Sequence, residues 1–200
     1  MPSTNGRRGK GRRSSITSFD EGRALETGRL RLEELAPRHA GAFLLYRKRN
    51  RSHLERWEPA VPPDAYEADY QEREIAASVA SANVGESVRF LAFGKHDGEV
   101  IASVNLWSIR RGVSQSAVLG YSVDAACQRR GFATEAAGAV VTFAFDELRL
   151  HRVETSYQPV NGASGRVLRK LGFIIEGYAR DYLFLDNGWR DSILASRTVT

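Results

Sequence analysis

Polar and apolar residues alternate at Arg29-Leu30-Arg31-Leu32-Glu33, the pattern of a strand with one buried face. Pro37 then stands where a helix can begin, and Ala40, Phe43 and Leu44 continue at helical spacing. Beyond Asn50 come Leu54, Trp57, Glu58, Pro59, Pro62 and Pro63, a stretch too rich in proline for a helix. Residues 64–82 predict a second, rather polar helix, with Tyr66, Tyr70, Ile75 and Val79 loosely periodic. Residues 88–93 and 100–107 predict two strands joined at His96-Asp97-Gly98, a good hairpin turn. A turn at residues 110–112 leads to a third strand at residues 119–123. From Thr134 the chain places Ala137, Val140, Val141, Ala144, Phe145 and Leu148 on one helical stripe. Residues 152–157 predict a strand ended by Pro159, then a helix over 161–171 capped by Asn161 and closed by Gly172. A long antiparallel hairpin, residues 173–184 and 189–197, turns at Asp186-Asn187-Gly188.

The order is β-α-α-β-β-β-α-β-α-β-β. A meander followed by β-α-β predicts an α+β fold, a mixed, mostly antiparallel seven-stranded sheet with helices on both faces. With 200 residues, 42% hydrophobic and 26% charged, the chain suits one compact domain over residues 23–200. No apolar run is long enough to cross a bilayer and no signal peptide opens the chain, so we expect no membrane partner and a cytoplasmic protein. The single cysteine, Cys127, excludes an internal disulfide framework and offers no metal cluster. His39, His53, His96 and His151 show no ligand spacing and read as surface or loop residues, so no metal is expected.

The net charge of +5 is misleading by itself. Residues 1–15 hold Arg7, Arg8, Lys10, Arg12 and Arg13 and no acid; taking these five from 29 leaves 24 basic residues against 24 acidic. The basicity therefore sits in a tail, residues 1–22, whose Gly, Ser and Arg cannot bury enough surface to fold alone. Two readings of the tail stand: a solvated extension, or a contact for ribosomal RNA phosphates.

Residues 119–134 carry the candidate chemistry. A short strand runs into a basic turn with one glycine, Gln128-Arg129-Arg130-Gly131-Phe132-Ala133, and then into a helix. Such a turn points several backbone N–H groups at one spot, with the positive end of the helix dipole behind them. That is an anion site, most simply for a phosphate or pyrophosphate. The Lys-Ser/Thr pair of nucleotide triphosphatases and the Gly-x-Gly-x-x-Gly run of dinucleotide folds are both missing.

Gln128, Gly131 and Ala133 occupy the fixed positions of a Gln/Arg-x-x-Gly-x-Gly/Ala signature, and the segment resembles the acetyl-CoA-binding segment of the GCN5-related N-acetyltransferases (GNAT). Asn161-x-x-Ser164, Leu168-x-x-Leu171-Gly172-Phe173 and Glu176-Gly177 match that family's second landmark. His151-Arg152-Val153, Glu176-Gly177-Tyr178-Ala179-Arg180-Asp181-Tyr182, Gly188-x-Arg190-Asp191 and Trp57-Glu58-Pro59 resemble its RimJ/RimL subfamily, nearest the RimJ branch. The resemblance spans about 140 residues.

It implies that backbone groups of Tyr121, Ser122 and Val123 hold the pantetheine arm of acetyl-CoA between two parted strands, with a bulge near residues 122–124. Amides of Gln128, Arg129, Arg130, Gly131, Phe132, Ala133 and Thr134 would surround the pyrophosphate, and Asn161 would bind the pantetheine amide. Trp57, Glu58 and Tyr182 would line the acceptor site. Many family members protonate the leaving thiolate with a tyrosine where this chain has Leu168; the RimJ/RimL type has a serine where Ser164 stands. A RimL glutamate falls on Leu183 here and does not transfer. Glu154 roughly matches the glutamate used by other N-terminal acetyltransferases of the family, and Asp181 is the other carboxylate in that neighbourhood, so the resemblance implies these two as candidate bases. Weak base equipment suits an α-amine, neutral in roughly a tenth of molecules at pH 7, better than a lysine, neutral in well under ~0.1%.

The expected activity is transfer of acetyl from acetyl-CoA to a protein N-terminus, of the ribosomal-protein-S5-alanine type, by a monomer or homodimer. Two alternatives stand: acetylation of a small amine (aminoglycoside, polyamine or amino acid), and an RNA-binding ribosome-assembly factor whose acetylation is secondary.

Overall fold

The computed structural model describes residues 22–185 and 187–199. The expected basic tail, apart from Gly22, lies outside the described residues. The strands are β1 (Ala24–Glu26), β2 (Leu30–Glu34), β3 (Val88–Gly94), β4 (Val100–Arg110), β5 (Ser116–Val123), β6 (Arg152–Tyr157), β7 (Ile174–Leu185) and β8 (Gly188–Thr198). The helices are α1 (Ala40–Arg49), α2 (Arg51–Leu54), α3 (Ala68–Asn83), α4 (Phe132–Asp146) and α5 (Gly162–Lys170). One sheet runs β1-β2-β3-β4-β5-β6-β8-β7, antiparallel throughout except between β5 and β6.

Eight strands replace the seven expected. The addition is β1, which pairs Ala24 with Glu33 and Glu26 with Arg31 along the free edge of β2. Three residues, Ala24, Leu25 and Glu26, are too few to give a periodic signal; pairing with an existing edge makes the strand. The proline-rich stretch contains the single turn of α2, and 3-10 turns at Pro37–His39 and Pro63–Tyr66 precede α1 and α3. His39 departs from its expected surface place: it is buried, its Nδ1 accepting from the Ala36 N–H and its Nε2 lying 3.1 Å from Glu33.

Both faces of the sheet are covered, which explains why β4 is buried almost continuously from Val100 to Leu106. On one face α4 and α5 bring Ala137, Val140, Phe143 and Leu168 against Leu30, Phe90, Val104 and Leu119. On the other, Phe43 and Tyr46 of α1, Leu54 of α2 and Ile75 of α3 pack on Leu91 and Val100. Among the described residues no helix is long and apolar enough to cross a membrane.

Candidate active site

The parallel pair β5–β6 is the weak seam of the sheet. Ser116 pairs with Arg152, Ala117 with Val153 and Val118 with Glu154; there the ladder stops, although β5 continues to Val123 and β6 to Tyr157. Thr155 Oγ1 donates to the Leu119 carbonyl at 2.9 Å, just where the strands part. The Leu119 carbonyl therefore faces β6, and strand alternation aims the N–H and C=O of Tyr121 and Val123 into the same gap. The Asp124 N–H points the other way, to Ile101 at 2.8 Å. The expected bulge near residues 122–124 is not there: Ser122 and Val123 pair regularly with Ser103 and Ala102. The irregularity falls on β4 between Trp107 and Arg110, where Ser108 has a φ of 49°.

Past the gap, Asp124 anchors the end of β5 to the end of α1. Its carboxylate accepts from Asn50 Nδ2 at 3.0 Å, from Arg49 and from the Ala126 N–H. Burial pushes its pKa up, but these Asn50, Arg49 and Ala126 bonds outweigh that and hold it below the usual aspartate value.

The basic turn then enters α4. Gly131 caps the helix with a φ of 83°, left-handed backbone that costs glycine nothing. No side chain caps this end of α4, so its first-turn N–H groups stay presented to an anion. The turn is braced by a residue that sequence reading passed over. Arg29, just ahead of β2, donates to the Arg130 carbonyl at 2.9 Å and to Glu135 at 2.7 Å, and stacks 4.1 Å from the Phe132 ring. Glu135 also accepts from Thr27 at 2.7 Å. Gln128 reaches His53 of α2 at 2.8 Å.

On the side of the gap facing α5, Ser164 sits in that helix's first turn. Asn161 Oδ1 accepts from the Ser164 N–H at 3.1 Å, and the Tyr121 hydroxyl lies 2.8 Å from Ser164 Oγ. Burial raises the Tyr121 pKa to about 12, so this phenol stays protonated. Gly165 lets the helix come this close: a Cβ there would stand 3.0 Å from the Tyr157 hydroxyl.

Across the sheet the gap opens into a cavity of about 610 Å³. Its floor includes the cross-strand row Arg89–Asn105–Gly120, with Trp107 lying over Gly120. Trp57 and Glu58 form one wall, Leu183, Phe184 and Leu185 of the final hairpin another, and Tyr121, Asn161 and Ser164 the end at the gap. Arg47 donates to Glu58 at 2.7 Å. Tyr46, fully buried and raised in pKa by burial, meets Ser122 Oγ at 2.9 Å.

The structure thus brings together Trp57, Glu58, Tyr121, Ser122, Asn161 and Ser164. Val123 and the turn from Gln128 to Thr134 lie outside the cavity lining, at the gap and the start of α4, and so do both candidate bases and Tyr182. Glu154 stands on β6 below the parting point, held by Arg110 and by Arg152 Nε at 2.8 Å. Asp181 is exposed on β7, its N–H donating to Asp191 at 2.9 Å, and Tyr182 beside it is exposed too. Arg47, Arg89 and Gln71 line the cavity without having been singled out. Arg89 did leave a trace in the sequence, as the one charge inside the apolar run Val88–Gly94.

Comparison with known proteins decides the family, since the model of the acetyltransferase (GNAT) domain matches residues 29–174. The chain belongs to the GNAT acetyltransferases. It is 33% identical over 176 residues to the ribosomal protein uS5-alanine N-acetyltransferase of Escherichia coli, covering 88% of this chain and 90% of that protein. It is 37% identical over 142 residues to the probable N-acetyltransferase YjcK of Bacillus subtilis, covering 71% and 78% of the two. Mycobacterium smegmatis RimJ, solved in complex with CoA-disulfide, superposes with a TM-score of 0.82 at 29% identity over 88% of this chain and 86% of that one. The ribosomal-protein-S5-alanine acetyltransferase of Vibrio fischeri gives 0.83 at 27% identity, over 88% and 96%. As a GNAT enzyme the chain is an acyltransferase that acetylates an amine. The parted strands and the uncapped α4 terminus are where that family resemblance put a CoA thioester, and their polar groups suit its amide arm and diphosphate.

Proposed function

We propose that this enzyme takes acetyl from acetyl-CoA and places it on the N-terminal α-amine of a protein, an alanine-initiated chain of the ribosomal protein uS5 type. The observation that carries the reading is the junction at Tyr121 and Ser164: a gap shaped for a strand-like amide chain meets a cavity wide enough for a polypeptide end. The relatives named for uS5-alanine acetylation, matched along most of their length, support the choice of acceptor.

Acetyl-CoA supplies an acetyl thioester: the acceptor nitrogen bonds to the carbonyl carbon, the C–S bond breaks and a thiolate leaves. Amides of the Gln128-to-Thr134 turn hold the diphosphate, and Tyr121 and Val123 pair with the pantetheine arm. The Val123 N–H polarises the thioester carbonyl, and orientation of the two reactants supplies most of the rate. The Tyr121 and Ser164 hydroxyls share one hydrogen bond; with Tyr121 as its donor, the serine's own proton is left for the departing sulfur. The amine's proton leaves by water to Glu58, the carboxylate on the cavity wall; Glu154 and Asp181 would be reached only by longer water chains.

The test is CoA release and product mass with an alanine-initiated peptide, the same peptide N-terminally blocked but carrying lysine, and a polyamine. Acetylation confined to the free N-terminus is expected. Turnover of the polyamine alone, or of the blocked peptide as fast as the free one, would overturn the reading.

A further inference from the structure

Arg89 is out of keeping with its surroundings. It projects from β3 on the face that carries Leu91, among Phe43, Tyr46 and Asn105. Its side chain is half-buried and lines the cavity. Among the described residues its guanidinium makes no side-chain hydrogen bond and no ion pair; its recorded contact is the Phe43 ring, 5.9 Å away. Glu58 is hydrogen-bonded to Arg47; burial, and then the Arg47 charge, push the Arg89 pKa down, while the Glu58 and Glu74 carboxylates pull the other way without bonding to it. A half-buried guanidinium with no hydrogen-bonded acid gives up part of its hydration with little return from the fold. A fixed fork of five donors on the cavity floor suits a carboxylate.

Its position says where that carboxylate sits. Arg89, Asn105 and Gly120 are cross-strand neighbours, and Gly120 adjoins Tyr121 at the gap. Two strand spacings separate Arg89 from Gly120, roughly 10 Å, which an extended peptide covers in about three residues. Beyond Arg89 lies a second hollow of about 180 Å³ between α3 and β3–β4, and Glu74, Arg89, Asn105 and Trp107 line both spaces. An acceptor chain passing from the gap over Asn105 would thus run beside Arg89.

Resting on the N-terminal acceptor reading above, we propose that Arg89 is a specificity-determining residue that selects acceptors carrying an acidic side chain within their first four residues. Charge-assisted, bidentate recognition of that carboxylate raises kcat/KM over a neutral isostere by roughly ten- to a hundredfold.

The test uses the full chain with acetyl-CoA and alanine-initiated peptides bearing Glu, Gln or Lys at the second, third or fourth position, plus free glutamate as a small acidic amine. At one of those positions the wild type is expected to prefer Glu over Gln by tenfold or more. Arg89→Gln should bring that ratio within about twofold, and Arg89→Glu should turn the preference towards Lys, the reversal expected of a direct charge contact. Calorimetric affinity for CoA, unchanged in both variants, shows that the fold and the gap are intact. A wild type that acetylates all the peptides alike, or a preference that survives Arg89→Gln, overturns the inference while leaving N-terminal acetylation standing. Turnover of free glutamate with no peptide acetylated would sink both, and would move the carboxylate from a polypeptide to a small acid.

Discussion

Replacing Gly131 by alanine tests whether the turn before α4 is built for an anion or merely ends a strand. At its φ of 83° an L side chain is strained, and the added Cβ would stand 3.4 Å from an Arg29 guanidinium nitrogen. That guanidinium cannot yield freely, since it is tied to Glu135 and to the Arg130 carbonyl. The left-handed conformation costs a non-glycine residue about 1–2 kcal/mol. The strain has two outlets. If the turn keeps its shape, the domain loses that stability, a fall in melting temperature of roughly 2–8 °C for a chain this size. If it relaxes instead, the first-turn N–H groups of α4 lose their convergence and CoA affinity drops by roughly five- to thirtyfold, the same free energy read as binding. Thermal melts and calorimetry with CoA on the same samples measure both outlets. Gly131→Asn, which tolerates the left-handed region, should lie between wild type and alanine. An alanine variant that melts and binds CoA like the wild type would refute the reasoning, because the strain would then have gone nowhere.

Tyr121→Phe removes the partner of Ser164 Oγ and should lower kcat by roughly tenfold or more while sparing CoA affinity; combined with Ser164→Ala it should add little further. Glu154→Gln, on an ion-paired residue outside the cavity, should change kcat/KM by less than about threefold and stability by at most about 1 kcal/mol. Glu58→Gln should cost more activity, and the reverse order of these two would remove Glu58 as the proton acceptor. The Asp124 pKa is lowered on folding, so its charge stabilises the fold above the unfolded aspartate value and that contribution is lost as pH falls through the folded one. Asp124→Asn should therefore lower stability at pH 7 in denaturant melts, with the deficit shrinking below about pH 4; a deficit independent of pH would show that packing, not charge, is what was lost.

Local patterning was enough for most of the architecture. Alternation at Leu30 and Leu32, the stripe on α4, the Asn161 cap and the run into Gly131 each follow from side chains within a few residues of one another, so they were readable in one dimension. The motif around Gly131 and the Asn161-to-Ser164 segment marked the family and the anion turn for the same reason. What escaped depends on neighbours distant in the chain. β1 exists because β2 offers it an edge. Arg29 braces a turn about a hundred residues away, a contact created by laying β2 beside the start of α4. A family match at Glu154 and the neighbourhood of Asp181 fix a position along the chain but not its distance from the gap; the parting point of β5 and β6 sets one below the gap, and the other stands on β7 outside the cavity lining. Arg89 is one residue in an apolar strand until the sheet sets it beside Asn105 and Gly120 on the cavity floor. Elements are specified by periodicity and caps, which are local; a site is specified by which strands lie side by side, and that is settled only when both faces of the sheet are buried.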